Sequence, residues 1–189
     1  MRVLGIDPGS VRTGYGCIES VGGRHRLVAS GTIATRATAS FPDRLVTIHR
    51  ALAEVMASTR PDCVAVETLF HAANARSALV LGHARGVALL AARQASLAIV
   101  EYSPAEVKRA VVGYGRAEKA QVQHMVTRLL GLKVMPSPFD TSDALAVAIC
   151  HLHSQLPGGV PAAPPGPRRT RSWRTVHAED LPHTRRAVR

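Results

Sequence analysis

The apolar run Val3-Leu4-Gly5-Ile6 ends in a carboxylate, Asp7, and Pro8-Gly9 turn the chain immediately afterwards. A second run, Cys63-Val64-Ala65-Val66, ends the same way in Glu67. Far along the chain, Asp140 and Asp143 stand three residues apart at the head of an otherwise apolar stretch, Ala144 to Cys150. Taken singly, each acid has a plain structural explanation. Asp7 can cap its own turn through backbone amides, and an acid in the first turn of a helix complements the macrodipole. The set of four is harder to explain that way. Burying an unpaired charge is expensive, and two carboxylates about 4 Å apart repel by about 4 kcal/mol at an effective dielectric near 20. Cations between them remove that cost. Ligation by carboxylate oxygens alone selects a hard ion, Mg²⁺ or in its place Mn²⁺. Two such ions about 3.5–4 Å apart activate water and stabilise the leaving oxygen in phosphodiester cleavage.

The acids meet only if the chain folds as a sheet whose strand ends lie side by side. The pattern supports that. Residues 2–7, 14–21, 25–34, 62–67 and 97–102 read as strands, the second and third joined by a hairpin at Gly22-Gly23-Arg24. Leu45, Ile48, Leu52, Val55 and Met56 recur at helical spacing within 42–58. An Ala-rich helix is expected over 74–93. Ser103, Pro104 and Glu106 form a capping box with proline at the first helical position, and that helix stops at Gly113-Tyr114-Gly115. Two more are expected over 118–130 and 140–152. The last is apolar beyond Asp143 and must pack on the body of the protein, which turns its acidic start toward the sheet. This is an α/β chain: a five-stranded mixed sheet flanked by helices on both faces. Gly82 and Gly86, i and i+4 on the long helix, allow a neighbour close to its backbone, either a second copy of the chain or the sheet.

Composition points to the partner. The 189 residues carry a formal charge of +11 and a pI near 10.9, which suits a polyanion. No stretch approaches the roughly 18 apolar residues of a membrane span, and Met1-Arg2 lead straight into a strand without a secretory pattern; a cytoplasmic location is expected. Cys17, Cys63 and Cys150 stand singly among apolar neighbours, as buried small side chains do, rather than as a disulfide framework or zinc site. Two parts are expected: a nuclease-type domain over 1–156 and a tail over 157–189. The tail holds six of the twelve prolines and seven arginines against two acids, has no hydrophobic period and cannot repay its ordering entropy. Its Trp173, between Arg171 and Arg174, has the chemistry to stack on a nucleobase.

Five blocks in series carry a resemblance: GIDPGS…TGYG, VAVETLF, NARSALVLGHARGVA, EVKRAVVGYGRAEKAQVQHMV and DTSDALAVAICH. Over residues 2–153 the chain resembles the RuvC family of bacterial Holliday-junction resolvases, within the RNase H-like superfamily. The resemblance implies a homodimer that binds a four-way DNA junction and nicks two strands of like polarity with Mg²⁺. It also implies docking with the branch-migration proteins RuvA and RuvB. Carried over by position, the family's catalytic, metal-binding acids match Asp7, Glu67, Asp140 and Asp143. Its junction-facing aromatic matches Phe70, and its DNA-contacting lysines match Lys108 and Lys119. Phe70 follows a strand end in a segment without helical period, where a ring can insert against an unstacked base. The loop between the two lysine-bearing helices brings both toward phosphates. Arg76 departs from the family, many of whose members carry an acid there. His124, His151 and His153 are read as structural.

Two other readings compete. An ATP-binding protein of the actin-like branch also places a strand-ending Asp before a glycine-containing phosphate loop, but its two-lobed architecture needs a longer chain and has no use for the positive charge. A DNA-binding module without catalysis accounts for the charge, but not for four acids placed where phosphates must lie.

Overall fold

The computed structural model describes residues 1–68 and 74–155. Phe70 and the 157–189 tail, with Trp173, lie outside the described residues.

Strand β1 (Arg2–Asp7) runs up the middle of the sheet, and Val3, Leu4 and Ile6 are sealed from solvent on both of its faces. Beside it β2 (Arg12–Val21) returns antiparallel, setting Asp7 opposite Gly14 and Arg2 opposite Glu19. The chain then turns at Gly22-Gly23, whose φ values of 58° and 77° are those a two-residue hairpin loop requires. It runs back as β3 (Arg24–Ala34). The β2–β3 ladder extends as far as Arg12–Ala34, so β2 begins two residues before the expected Gly14. On the other side of β1, β4 (Cys63–Glu67) and β5 (Ala98–Tyr102) pair in parallel, giving the order β3-β2-β1-β4-β5.

Parallel neighbours need crossovers, and helices supply them. Helix α1 (Phe41–Thr59) starts where the Ser40 hydroxyl accepts from the Asp43 amide, with Pro42 in the first turn. It packs beside α2 (Ala75–Gln94) on one face of the sheet. There Ile48, Leu52 and Met56 of α1 and Ala84 and Ala88 of α2 bury Leu4, Ile6, Val64 and Val66. The other face is covered by α3 (Pro104–Val112), α4 (Lys119–Leu129) and α5 (Phe139–Ser154). Val107, Val122, Val126, Leu145 and Ile149 meet Val3, Ala65 and Tyr102 there. The Ser103–Glu106 capping box forms as expected, and Gly113, at φ 98°, ends α3. The three cysteines are buried and free. Among the described residues no helix is long and apolar enough to cross a membrane.

Helix α5 is the central element of the second face. Every residue from Ala144 to Leu152 is buried. It reaches that depth because its backbone comes down onto strand glycines between the side chains, Leu145 and Ile149 among them, that also pack there. A Cβ added at Gly5 would collide with the Ala144 carbonyl and with Ala148; one added at Gly14 would collide with the Asp140 carbonyl. The hydroxyls of Thr32 and Thr141, 2.9 Å apart, tie the start of α5 to β3. On α2, by contrast, a Cβ at Gly82 or Gly86 would meet nothing within 4 Å among the described residues. That face points outward with Leu79 and Leu90, which are 65% and 51% exposed; the sheet does not use it.

Overpacking a filled core costs about 1–3 kcal/mol. Gly5→Ala and Gly14→Ala are therefore expected to lower the thermal midpoint by about 2–4 °C for each kcal/mol lost. Gly86→Ala, in open space, should leave it unchanged or raise it slightly through helix propensity. Calorimetric melts of the three variants check this.

Candidate active site

The sheet places the first two acids. β1 and β4 run in parallel register with Ile6 against Val66, so the residues that follow, Asp7 and Glu67, emerge as neighbours at the same end. The turn after Asp7 is pinned by Thr13, whose hydroxyl donates to the Gly9 carbonyl (2.7 Å) and accepts from the Gly9 amide (3.3 Å). Helix α5 delivers the other two. Its Asp140 carbonyl lies on Gly14, the residue paired with Asp7, and Asp143 follows almost one turn later on the same face. The helix start has no side-chain cap; it is fixed instead by Thr141 on Thr32 and by the Ser142 hydroxyl donating to the Phe139 carbonyl at 2.8 Å.

Two lysines face the acids. Lys119, the first residue of α4, donates from Nζ to Asp143 Oδ2 at 2.8 Å. The lysine side chain is 65% exposed and the aspartate only 17%. Lys108 of α3 stands across a cleft of about 180 Å³ whose lining also includes Glu67, Lys119 and Asp143.

The electrostatics show how poorly two lysines balance four carboxylates. Burial, reinforced by Glu67, Asp143 and Asp140 and opposed by Lys119, pushes Asp7 up to about 8. Burial and Asp143, opposed by Lys119 and Lys108, push Glu67 up to about 7. All four acids thus share one field at the head of the sheet. Their side chains do not close into a finished ligand shell: among the described residues no group of three or more His, Cys, Asp or Glu side chains is drawn together as metal ligands. The expected convergence is present in the backbone and in the field, with an ammonium on Asp143. A donor set of four carboxylates without sulfur or imidazole, carrying uncompensated charge, fits a hard divalent cation.

Of the residues singled out from sequence, Asp7, Glu67, Asp140, Asp143, Lys108 and Lys119 all come to this end of the molecule. The histidines do not. His151 is buried and hydrogen-bonded with Tyr102 Oη at 2.8 Å, His153 bonds the Ala110 carbonyl, and His124 is exposed on α4. Sequence reasoning passed over Thr13, Thr141, Gly5 and Gly14, which hold the acids in place. Glycine inside an apolar strand is a visible signal of close backbone approach; the two threonines give none.

The sheet order, the helices on both faces and the acids at the strand ends define an RNase H-like α/β protein. The family model for crossover junction endodeoxyribonuclease RuvC matches residues 3–151. RuvC of Syntrophotalea carbinolica is 58% identical over 153 residues, covering 81% of this chain and 94% of that one. RuvC of Syntrophomonas wolfei is 51% identical over 154 residues, covering 82% and 90%. Among solved structures, T. thermophilus RuvC in complex with Holliday junction substrate is similar at a TM-score of 0.76 and 37% identity, covering 80% of this chain and 93% of that one. The chain belongs to the RuvC family.

A carboxyl whose folded pKa stands above its unfolded value keeps a proton that the unfolded chain has already lost. For Asp7 that window runs from 3.8 to about 8, and across it stability contributed by this group falls as pH rises. In chelator, Asp7→Asn, which cannot ionise, is expected to gain stability over the parent progressively from pH 5 to pH 8. Paired thermal melts at the two pH values measure the difference, and added Mg²⁺ should shrink it by stabilising the parent at pH 8.

Proposed function

We propose that this chain is a Mg²⁺-dependent endonuclease that resolves Holliday junctions in DNA recombination and repair, nicking two strands of like polarity symmetrically. Asp7, Glu67, Asp140 and Asp143 are its catalytic acids and hold the metal. The observation that carries this reading is the gathering of carboxylates from β1, β4 and α5 at one end of a strongly basic chain, where burial first and the neighbouring acids next lift Asp7 and Glu67 far above their ordinary range. A pure binder gains nothing from such a cluster where phosphates must come. When bound, the cation supplies an activated water and charge neutralisation at the scissile phosphate. The protein supplies position: a strand end and a helix seated on the sheet hold the acids without a mobile loop. Lys108 and Lys119 grip flanking phosphates and Phe70 meets the junction centre. Mn²⁺ substitutes for Mg²⁺, RuvA and RuvB are partners by family, and the protein acts in the cytoplasm.

A mobile four-way junction incubated with Mg²⁺ tests this. Paired symmetric nicks with 5′-phosphate ends are expected. Asp7→Asn and Glu67→Gln should each lose activity by about 100-fold or more, since metal charge stabilisation is worth several kcal/mol. Junction affinity, which comes from Lys and Arg, should survive in both. Resolution by either variant near the parent rate refutes the assignment.

The working unit is a homodimer, and the outward face of α2 suits its interface. Leu79 and Leu90 are exposed there, and nothing covers the Gly82–Gly86 step among the described residues. A charge placed on that face, as in Gly86→Glu, should convert dimer to monomer in sedimentation while the helix content stays that of the parent by circular dichroism.

A further inference from the structure

We propose that Lys119 is an exchangeable counter-ion: its ammonium and the divalent cation compete for Asp143, so that metal loading releases Lys119 to a DNA phosphate and DNA binding opens Asp143 to the metal. This rests on the metal site proposed above and concerns its regulation.

Four observations carry it. First, the contact is direct. Nζ lies 2.8 Å from Asp143 Oδ2, an oxygen that would otherwise be available as a ligand. A doubly charged ion within about 4 Å of an ammonium repels it twice as strongly as a monovalent one would, so the two do not share the carboxylate comfortably. Second, Lys119 is the first residue of α4. The N-terminus of a helix carries partial positive charge and disfavours a cation, so the ammonium gains nothing from the α4 dipole. Asp143, on another helix, supplies its partner. Third, the two ends of the pair are unequally held. The aspartate is mostly covered on the buried helix, while the lysine is exposed on a flexible stem. The lysine can therefore swing away without disturbing the core, and it leaves toward solvent, where the backbone of the DNA must run. Fourth, the neighbouring lysine behaves differently. Lys108 lines the same cleft, yet among the described residues it makes no ion pair. One lysine stands ready for phosphate, and the other is tethered to the acids.

Competition of this kind makes metal and DNA binding mutually supportive, because a coupling between two ligands is reciprocal. It also gives the repelling acids an internal positive partner and lowers their affinity for stray divalent ions away from substrate.

The test is calorimetric titration of the full chain with Mn²⁺ alone, without DNA. Lys119→Met is expected to bind Mn²⁺ about fivefold more tightly than the parent, or better; Lys119→Arg, which keeps the charge, should stay near the parent. Equal Mn²⁺ affinity in the parent and Lys119→Met overturns the competition. Mn²⁺ binding to none of the three overturns the metal site instead, so the two failures are distinct. A measurement without substitution stands beside it: the ¹⁵N resonance of the Lys119 ammonium in the parent should move toward that of a solvated lysine when Mg²⁺ is added. A resonance that stays fixed while the metal demonstrably binds also overturns it.

Discussion

The close seating of α5 on β1 and β2 is the constraint on which the rest of this molecule depends. Helices ordinarily pack on sheets through a layer of side chains; at Gly5 and Gly14 that layer has gaps, and there the helix backbone comes down onto the strands. One consequence is a core with α5 at its centre, buried from Ala144 to Leu152. The other is chemical: Asp140 is pressed against the strand residue opposite Asp7. A helix held at ordinary distance would leave its acids a side chain's width from the strand ends. Packing and electrostatics are thus joined through two residues that have no side chain at all.

The molecule concentrates opposite charge in separate places. Its overall excess is positive, while the head of the sheet holds four carboxylates in a shared field. Burial raises the protonation pKa of Asp7 and Glu67, and their neighbours raise it further. Lys119 offsets part of that repulsion without abolishing it. A cluster in this condition has a standing demand for positive charge, which protons meet at lower pH and for which a hard divalent cation is chemically suited. Lys108 and Lys119 beside the acids and the positive excess of the whole chain address the other requirement of the reaction, bringing a polyanion up to an acidic centre that would repel it.

Much of this was legible in the chain itself, for physical reasons. Strands ending in Asp7 and Glu67 announce themselves because apolar runs bounded by turn residues have few other uses, and the capping box at Ser103 marks a helix start by its hydrogen-bond chemistry alone. The buried character of α5 follows from an apolar stretch too long to leave in water. What the sequence hides is whatever depends on three-dimensional proximity. Lys119 and Asp143 are 24 residues apart on different helices, and no local pattern brings them together. Spacing shows that the acids share a region, while the openness of their side chains is a matter of rotamers. The outward orientation of Gly82 and Gly86 is of the same kind, since a small residue permits an approach without saying whose.

Helix α5 also unites two duties that many enzymes assign to different parts. The segment bearing Asp140 and Asp143 is continuous with the innermost packing of the domain, so these carboxylates have no hinge of their own. Amide protons along α5 should be among the slowest in the protein to exchange, since elements at the core open only with the whole fold. Adaptability toward a substrate as variable as branched DNA must then come from the periphery, from long basic side chains on flexible stems. The cutting centre stays rigid, and recognition is left to the parts around it.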